Sequence, residues 1–348
     1  MSTASTDRSQ HAMDTTSARA LIERLQAQIE ACLSPHIDGA PIALVDFPDI
    51  RNVGDSAIWL GEIACLAQRF GKRPDYVSRG VRDFSDEELE RRAPEGPIFI
   101  HGGGNFGDIW LGHQVFRERV LQRWPGRPVV QLPQSIHYGC VERADETARI
   151  IDRHRNFTLL VRDHESLHFA EKHFNCRTIL CPDMAFMIGA CAAPQPRLPV
   201  LAMLREDREK PETARDLGRW PEIPIEDWIT EPWLPIRIAK TLGTLGESGS
   251  FDAMQMRRGR FDAAARQRFA RGVRQIGRAR ALVTDRLHVH IISTLLGRPH
   301  AVLDNSYGKI RRFMTAFSSD TELAYAARSI QDAVEWAQAR AAALEDGR

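Results

Sequence analysis

Four cationic or titratable side chains in the C-terminal half each follow shortly after an apolar stretch of strand length. They are Arg205, Arg286, His288 and Lys309. Arginine suits bidentate contact with phosphate or carboxylate, and a helix that begins there adds backbone donors and a favourable dipole. Because the carboxyl ends of parallel strands meet at one edge of a sheet, the pattern predicts a site for a small anion that carries phosphate and carboxylate groups.

Simpler interpretations exist for each of these residues taken singly. An arginine of this kind more often belongs to a surface ion pair, and His288 could be a satisfied core histidine. Asn305 and Ser306, which precede Lys309, could add hydrogen bonds to an anion. The agreement between three strand ends favours an anion site.

Glycine-rich and polar loops follow the strands expected in the N-terminal half. Residues 101–105 read HGGGN, in which Gly103 and Gly104 expose backbone N–H groups beside Asn105. Ligand contact is favoured there over a purely structural turn. Residues 52–56 read NVGDS, where Asp55 could face a ligand, or Asp55 or Ser56 could simply cap the next helix.

The third and fourth strands of this half end in polar residues. Gln134 and His137 could bind sugar hydroxyls, although an ordinary polar loop accounts for them equally well. Arg162 and Asp163 are explained by an exposed ion pair. The N-terminal ligand candidates are therefore Gly103, Gly104, Asn105, Gln134 and His137.

Apolar runs of strand length alternate with helical patterns through both halves. Strands are predicted at 41–47, 97–100, 128–132, 157–161, 177–181, 199–204, 281–284 and 300–303. A helix face is marked by residues at spacings of four, three and four, namely Trp59, Ile63, Leu66 and Phe70. This alternation predicts an α/β fold with parallel strands and crossover helices.

The length of 348 residues favours two domains, and the proline-rich segment 192–199 predicts a linker between them. We expect a disordered lead-in at 1–17, a Rossmann-like domain at 18–191 and a second at 199–348, facing each other across a cleft. The C-terminal helices could pack back on the N-terminal domain.

Composition excludes several classes of protein. The net charge of +1 gives no field that would attract nucleic acid, and no apolar run reaches the roughly 18–20 residues of a membrane span. The six cysteines form no Cys-x-x-Cys pair, and no metal-binding motif is present. We expect a soluble cytoplasmic protein without a metal.

Five short motifs occur in the order seen in polysaccharide pyruvyl transferases, a family that the chain resembles from about residue 42 to 313. They are NVGD at 52–55, HGGG at 101–104, VRD at 161–163 with Ser166, PDMAF at 182–186 and DRLH at 285–288. GRP at 297–299 and YGK at 307–309 also fit. Each motif is short, but the ordered set is fairly specific.

The resemblance implies a fold like that of GT-B glycosyltransferases and phosphoenolpyruvate as donor, a co-substrate rather than a cofactor. Its pyruvyl group would be placed on sugar hydroxyls of an exopolysaccharide repeat unit, as a ketal. Carried over residue by residue, Arg205, Arg286 and Leu287 would contact the donor, and His288 would lie beside its reacting end.

The chemistry expected from this resemblance needs an acid and a base. His288 would protonate the donor, since imidazole changes protonation near neutral pH. Lys309 would assist the arginines in holding the departing phosphate. Asp55 is the preferred base for the acceptor, ahead of His101 and His137. No cofactor is required.

Two further features bear on the acceptor, which is expected to be a lipid-linked oligosaccharide. Residues 257–280 carry nine arginines and one acid, so they predict an amphipathic helix with a basic face. A solvated face is favoured over contact with anionic lipid at the inner membrane surface. In the segment 206–259, Trp220, Trp228 and Trp233 could stack on sugars, although packing beneath a long loop is favoured.

Two rival functions remain open from the sequence. A nucleotide-sugar glycosyltransferase of GT-B type would need an acidic residue for ribose hydroxyls, for which Glu165 or Asp304 could be recruited. A non-catalytic sensor of sugars or anions would bind without releasing phosphate, and the set of Arg205, Arg286 and His288 argues against it.

Overall fold

The computed structural model describes residues 3–206, 218–246, 252–304 and 308–346. Within these ranges the strands form two sheets, one from each half of the chain, and every paired strand runs parallel to its neighbour. The fold is therefore mixed α/β with parallel sheets, consistent with a Rossmann-like, GT-B-type architecture.

The first half alternates strands and helices as the sequence predicts. Its elements are α1 (Thr3–Leu33), β1 (Ala43–Val45), α2 (Val53–Phe70), β2 (Tyr76–Val77), α3 (Asp86–Arg92), β3 (Ile98–Ile100), β4 (Gly103–Gly107), α4 (Leu111–Arg123), β5 (Val129–His137), α5 (Val141–Arg153), β6 (Phe157–Val161), α6 (His164–His173) and β7 (Arg177–Leu180). A short 3-10 helix, Met184–Ile188, follows. The sheet order is β2-β1-β3-β5-β6-β7, with β4 paired to β5.

The second half builds a smaller sheet. Its elements are β8 (Leu198–Met203), β9 (Ile225–Glu226), α7 (Trp233–Gly246), α8 (Ala253–Ile276), β10 (Ala279–Thr284), α9 (Leu287–Leu295), β11 (His300–Val302), α10 (Lys309–Phe317), β12 (Ala324–Ala326) and α11 (Ile330–Asp346). The order β12-β11-β10-β8-β9 places the carboxyl ends of β8, β10 and β11 side by side.

All eight strands predicted from the sequence are present, and the largest difference lies in β5. The prediction ends this strand at residue 132, but it continues to His137. The reason is the unpredicted strand β4, which pairs Gly103 with Gln134 and Gly107 with His137. Gln134 and His137 therefore belong to a strand and not to the predicted polar loop.

Apolar side chains alternate between the two faces of the second sheet, as the pleat of a strand requires. Leu201 and Met203 join the large core that also packs the first sheet, whereas Val200 and Ala202 join a smaller core. Helix α11 covers this smaller core with Ala333, Val334, Ala337 and Ala341. The last helix therefore packs on the second sheet, although it also contacts α1.

Helix α8 is amphipathic, as the sequence predicts at 257–280, but only part of its basic face is solvated. It packs between α2 and α7, with Phe261 stacked on Phe47 at 4.3 Å between ring centroids. Its Asp262 accepts a hydrogen bond from Trp59 Nε1 at 2.9 Å. Several arginines bind protein groups, as Arg257 does with Glu88 at 3.1 Å. No helix in the described ranges is both long and apolar enough to cross a membrane.

Helix α1 begins at Thr3, so the structure gives a helix over most of the lead-in 1–17 for which the sequence predicts disorder. Its buried apolar face starts only at Ala18 and continues through Leu21, Leu25 and Ile29. The boundaries 18–191 and 199–348 stay predictions. Between the sheets, residues 190–197 have no regular structure, as expected of the proline-rich segment.

Candidate functional site

A cavity of about 790 Å³ opens between loops that follow the strands of both sheets. Nine site candidates from the sequence line it, namely Asp55, His101, Gly104, Asn105, Arg205, Arg286, Leu287, His288 and Lys309. Because the second half contributes Arg205, Arg286, His288 and Lys309, one wall suits an anion. The structure therefore brings the predicted anion site and part of the N-terminal loops into one space.

The strand ends of the second sheet hold their cations through a network of short hydrogen bonds. The Arg205 backbone N–H donates to Asp285 Oδ1 at 2.8 Å, and the Arg286 N–H donates to Thr284 Oγ1 at 3.0 Å. Thr284 Oγ1 in turn donates to the Met203 carbonyl at 2.8 Å. These bonds tie β8 to β10 and fix where both arginines leave the backbone.

The guanidinium of Arg286 is held on the cavity wall by two neighbours from the segment after β9. Its Nη2 donates to Asp227 Oδ2 at 2.6 Å, and its Cζ lies 5.7 Å from the centre of the Trp228 ring. Both side chains of the ion pair are buried. A buried arginine fixed in this way presents a defined set of donors to a ligand.

Gly104 marks the point where cations from the two halves approach each other. A β-carbon there would lie 3.1 Å from Arg162 Nη2 and 3.7 Å from Lys309 Nζ. Arg162 follows β6 of the first sheet, and Lys309 begins α10 in the second half. A glycine at this position leaves room for both cations beside the backbone.

His288 lies against a buried acid, Asp183, which also binds Arg162. His288 Nε2 is 3.5 Å from Asp183 Oδ2, and Arg162 Nη1 donates to the same oxygen. Asp183 Oδ1 caps the 3-10 helix by accepting from the Ala185 N–H at 2.9 Å. Burial alone would raise the pKa of Asp183, but His288, Arg162 and the Ala185 N–H outweigh it and hold this pKa well below its usual range.

The other side of the His288 ring packs on Gly54, near the start of α2. A β-carbon at residue 54 would lie 2.8 Å from His288 Cβ and would overlap Nδ1 as well. The helix is capped by Asn52, whose Oδ1 accepts from the Gly54 N–H at 3.0 Å, and not by Asp55 or Ser56. Asp55 is thereby free of the capping role and lines the cavity.

Replacing Gly54 with alanine should destabilise the protein by about 1–3 kcal/mol, because the new methyl group overlaps His288. A glycine-to-alanine change inside a helix otherwise favours folding by up to about 1 kcal/mol. Gly112→Ala in α4 is the matched control, since a β-carbon there meets nothing within 4 Å. Urea unfolding measures both variants, and a Gly54→Ala protein as stable as the wild type would contradict this packing.

Three further site candidates, Gly103, Gln134 and His137, do not line the cavity. Gln134 Nε2 donates to Asn105 Oδ1 at 2.8 Å and its Oε1 accepts from the Asn105 N–H at 3.0 Å, so it supports the loop from behind. Gly103 pairs with Gln134, and His137 pairs with Gly107 at the far end of β5. Asn305 and Ser306 lie outside the described residues.

His101 lies on the cavity wall but is almost wholly buried. Its Nδ1 is 2.9 Å from Glu62 Oε2, and Glu62 Oε1 accepts from the Gly102 N–H at 2.9 Å. Burial would lower the pKa of His101, but Glu62, Asp55 and Asp46 outweigh it and raise this pKa. The ring therefore tends to keep its proton and to hold the glycine loop in place.

Sequence reasoning missed Arg162 as a cavity residue. Arg162 and Asp163 are both buried, and Arg162, which lines the cavity, binds Asp183 in place of the predicted exposed pair with its neighbour. The PDMAF motif was the only sequence signal for Asp183. The segment after β9 contributes Trp228, which the sequence analysis had considered, and also Ile229, Glu231 and Lys240, which it had not.

The tryptophans of this segment have three different environments. Trp228 is buried beside Arg286, and Trp220 packs on the smaller core. Trp233 is exposed at the start of α7. Packing therefore explains two of the three, as the sequence analysis favoured.

The fold and the cation-lined cavity at the strand ends are consistent with a Rossmann-like, GT-B-type α/β protein. A crystal structure of an uncharacterized protein from Klebsiella pneumoniae has a similar fold, with a TM-score of 0.56 and 17% identity, over 86% of this chain and 97% of that one.

Sequence comparison identifies the family. The model for polysaccharide pyruvyl transferases matches residues 52–307. Pyruvyl transferase 1 of Schizosaccharomyces pombe is 31% identical over 78% of this chain and 68% of that protein. The putative pyruvyl transferase EpsO of Bacillus subtilis is 29% identical over 77% and 82%. The chain belongs to the polysaccharide pyruvyl transferase family, which makes it a transferase.

Proposed function

We propose that this transferase moves the pyruvyl group of phosphoenolpyruvate onto two hydroxyls of a sugar in an exopolysaccharide repeat unit, forming a ketal and releasing phosphate. The observation that carries the proposal is the convergence of Arg205, Arg286 and Lys309 on the cavity that also contains His288. A ligand with one phosphate and one carboxylate matches this set of cations.

The proposed reaction balances without a further reactant. Protonation of the donor methylene carbon gives a methyl group and cationic character at the adjacent carbon, to which one sugar hydroxyl adds. Cleavage of the bond from that carbon to the phosphate oxygen releases phosphate, and the second hydroxyl closes the ketal. Of the two hydroxyl protons, one returns to the acid that protonated the donor carbon, and the other leaves with the phosphate. No cofactor takes part.

His288 is proposed to supply the proton to carbon. An imidazolium carries N–H groups on both ring nitrogens. Nε2 faces Asp183 at 3.5 Å, and the glycine at residue 54 keeps a side chain off Nδ1. The acid is therefore held by a carboxylate on one side while its second N–H is left for the donor.

The N-terminal wall of the cavity is proposed to receive the acceptor. Gly104 and Asn105 lie there, and Asp55 is the base preferred from the sequence. We propose that the two halves form domains facing a cleft, and that closure keeps water from the cationic intermediate. A lipid-linked oligosaccharide as acceptor would place the reaction in the cytoplasm, at the membrane surface.

Ligand-dependent stabilisation tests the donor. Phosphoenolpyruvate at a hundred times its dissociation constant should add roughly 2.7 kcal/mol to the free energy of unfolding. The increase should be lost in Arg286→Ala, whose guanidinium lies on the cavity wall, and kept in Arg266→Ala, an exposed arginine that does not line the cavity. Stabilisation by a nucleotide sugar in place of phosphoenolpyruvate would contradict pyruvyl transfer and support glycosyl transfer as the activity.

A further inference from the structure

A second histidine–carboxylate pair lies on the cavity wall, and neither member is predicted from the sequence. His113, in the first turn of α4, lines the cavity. Its Nδ1 is 2.7 Å from Asp46 Oδ2, and the aspartate is buried while the imidazole is part-exposed. A carboxylate bound to one ring nitrogen fixes the tautomer, so the other nitrogen is left as the proton acceptor.

The backbone of Asp46 adopts an unfavourable conformation at this pair. Asp46 directly follows β1 and has a φ of 71°, the one positive φ of a non-glycine residue in the described part of the chain. A left-handed conformation of this kind is unfavourable for a residue that has a β-carbon, and such residues cluster at functional sites. The strain turns the Asp46 carboxylate at the carboxyl end of a parallel strand onto His113.

We propose that His113, oriented by Asp46, is the general base that takes the proton from an acceptor hydroxyl. The assignment rests on the proposed function and names its missing base. As the hydroxyl oxygen bonds to the donor carbon, its proton passes to His113 Nε2, while Nδ1–H stays hydrogen-bonded to Asp46. The proton is then released to phosphate, which restores the neutral ring.

The three candidates from the sequence fit this role less well, and His137 does not line the cavity at all. Asp55 forms no hydrogen bond with any residue in the described ranges that would orient its carboxylate, and a carboxylate is a weaker base than an imidazole. His101 has its Nε2 buried, where a substrate hydroxyl does not reach it. His113 combines an orienting partner with an accessible ring.

The surroundings of His113 also suit a sugar. Trp110, the N-cap residue of α4, stands three residues earlier, and its exposed indole lines the cavity. An aromatic ring offers an apolar face on which a sugar can stack. A sugar stacked on Trp110 would share the cavity with His113.

The test uses the full chain, phosphoenolpyruvate and a panel of p-nitrophenyl hexopyranosides, with ketal formation followed by mass spectrometry and phosphate release. His113→Ala should lower kcat by about 10²–10⁴-fold, the usual worth of a general base, while stabilisation by phosphoenolpyruvate is unchanged. Added imidazole should restore part of the turnover, because the vacated position is open to the cavity. His164→Ala, an exposed histidine outside the cavity, is the control.

Asp46→Asn tests whether Asp46 orients His113 without disturbing the fold, because asparagine also tolerates a positive φ. This variant should lower kcat and leave KM for phosphoenolpyruvate unchanged. Near-normal kcat in His113→Ala, or a large loss in Asp55→Asn alone, would overturn the assignment. If the wild-type protein forms no ketal with any glycoside, the proposed function is wrong, and the assignment of His113 as its base is wrong as well.

Discussion

Replacing His288 with asparagine should lower turnover by about 10²–10⁴-fold and leave stabilisation by phosphoenolpyruvate nearly intact. The reason is a division of roles on the cavity wall. In the proposed mechanism Arg205, Arg286 and Lys309 carry the charge that holds the donor, whereas His288, which lies between Gly54 and Asp183, supplies the proton to carbon. Asparagine keeps polar contacts but has no proton to give at neutral pH.

His290, two residues along the same helix, is the internal control with the opposite expected signature. It is buried in the core, where Nδ1 is 2.7 Å from His300 Nε2 and Nε2 is 3.0 Å from Ser318 Oγ. Burial holds the pKa of His290 well below its ordinary value, so the ring is neutral there. His290→Asn should lower the free energy of unfolding, with turnover per folded molecule preserved.

The measurement is single-turnover release of phosphate, combined with the ligand-dependent midpoint of unfolding for each variant. Weaker donor binding with a near-normal rate in His288→Asn would make this histidine a binding residue and not the acid. Loss of both rate and stability to the same degree in the two variants would assign both histidines to the core.

The anion side of the cavity could be predicted because it depends on a local rule. Residues that directly follow the strands of a parallel sheet lie at one edge, so Arg205, Arg286 and His288 needed only correct strand assignments. Those strands were recognisable as short apolar runs, since both faces of this sheet are covered.

The N-terminal side of the cavity depends on contacts between residues far apart in sequence, which no local pattern predicts. Gln134 was predicted to contact a ligand, but the irregular strand β4 lies in front of it and takes up its hydrogen bonds. His113 and Asp46 are far apart in sequence, and the positive φ that joins them has no sequence signal beyond the tolerance of aspartate for it. The ion pairs on the basic face of α8 were not predicted because their partners, such as Glu231 for Arg268, come from distant segments.

Asp183→Asn should be the most destabilising single change at the site, by about 3–5 kcal/mol, because it leaves Arg162 as a buried charge without its carboxylate. Asparagine can still cap the 3-10 helix through Oδ1, so loss of the cap does not explain the effect. Turnover should fall as well, since the carboxylate that lies 3.5 Å from His288 Nε2 loses its negative charge.

The pH dependence of stability tests whether the charge of Asp183 causes this effect. The pKa of Asp183 is depressed in the folded protein, whereas an aspartate in the unfolded chain has a pKa of about 3.9. Between these two values the unfolded state binds more protons, so stability rises with pH. The contribution of Asp183 is therefore complete above about pH 4 to 5 and is lost as pH falls further, toward the folded pKa.

Urea unfolding from pH 7 down to pH 3 should accordingly show a shallower acid loss in Asp183→Asn than in the wild type. Asp163→Asn is the matched control, since Asp163 is also a buried cap but accepts from Ser166 N–H and Ser135 Oγ. It should cost only about 1 kcal/mol. Equal losses in the two variants would mean that the charge of Asp183 is not what joins Arg162 to His288, and that its role is to cap the 3-10 helix.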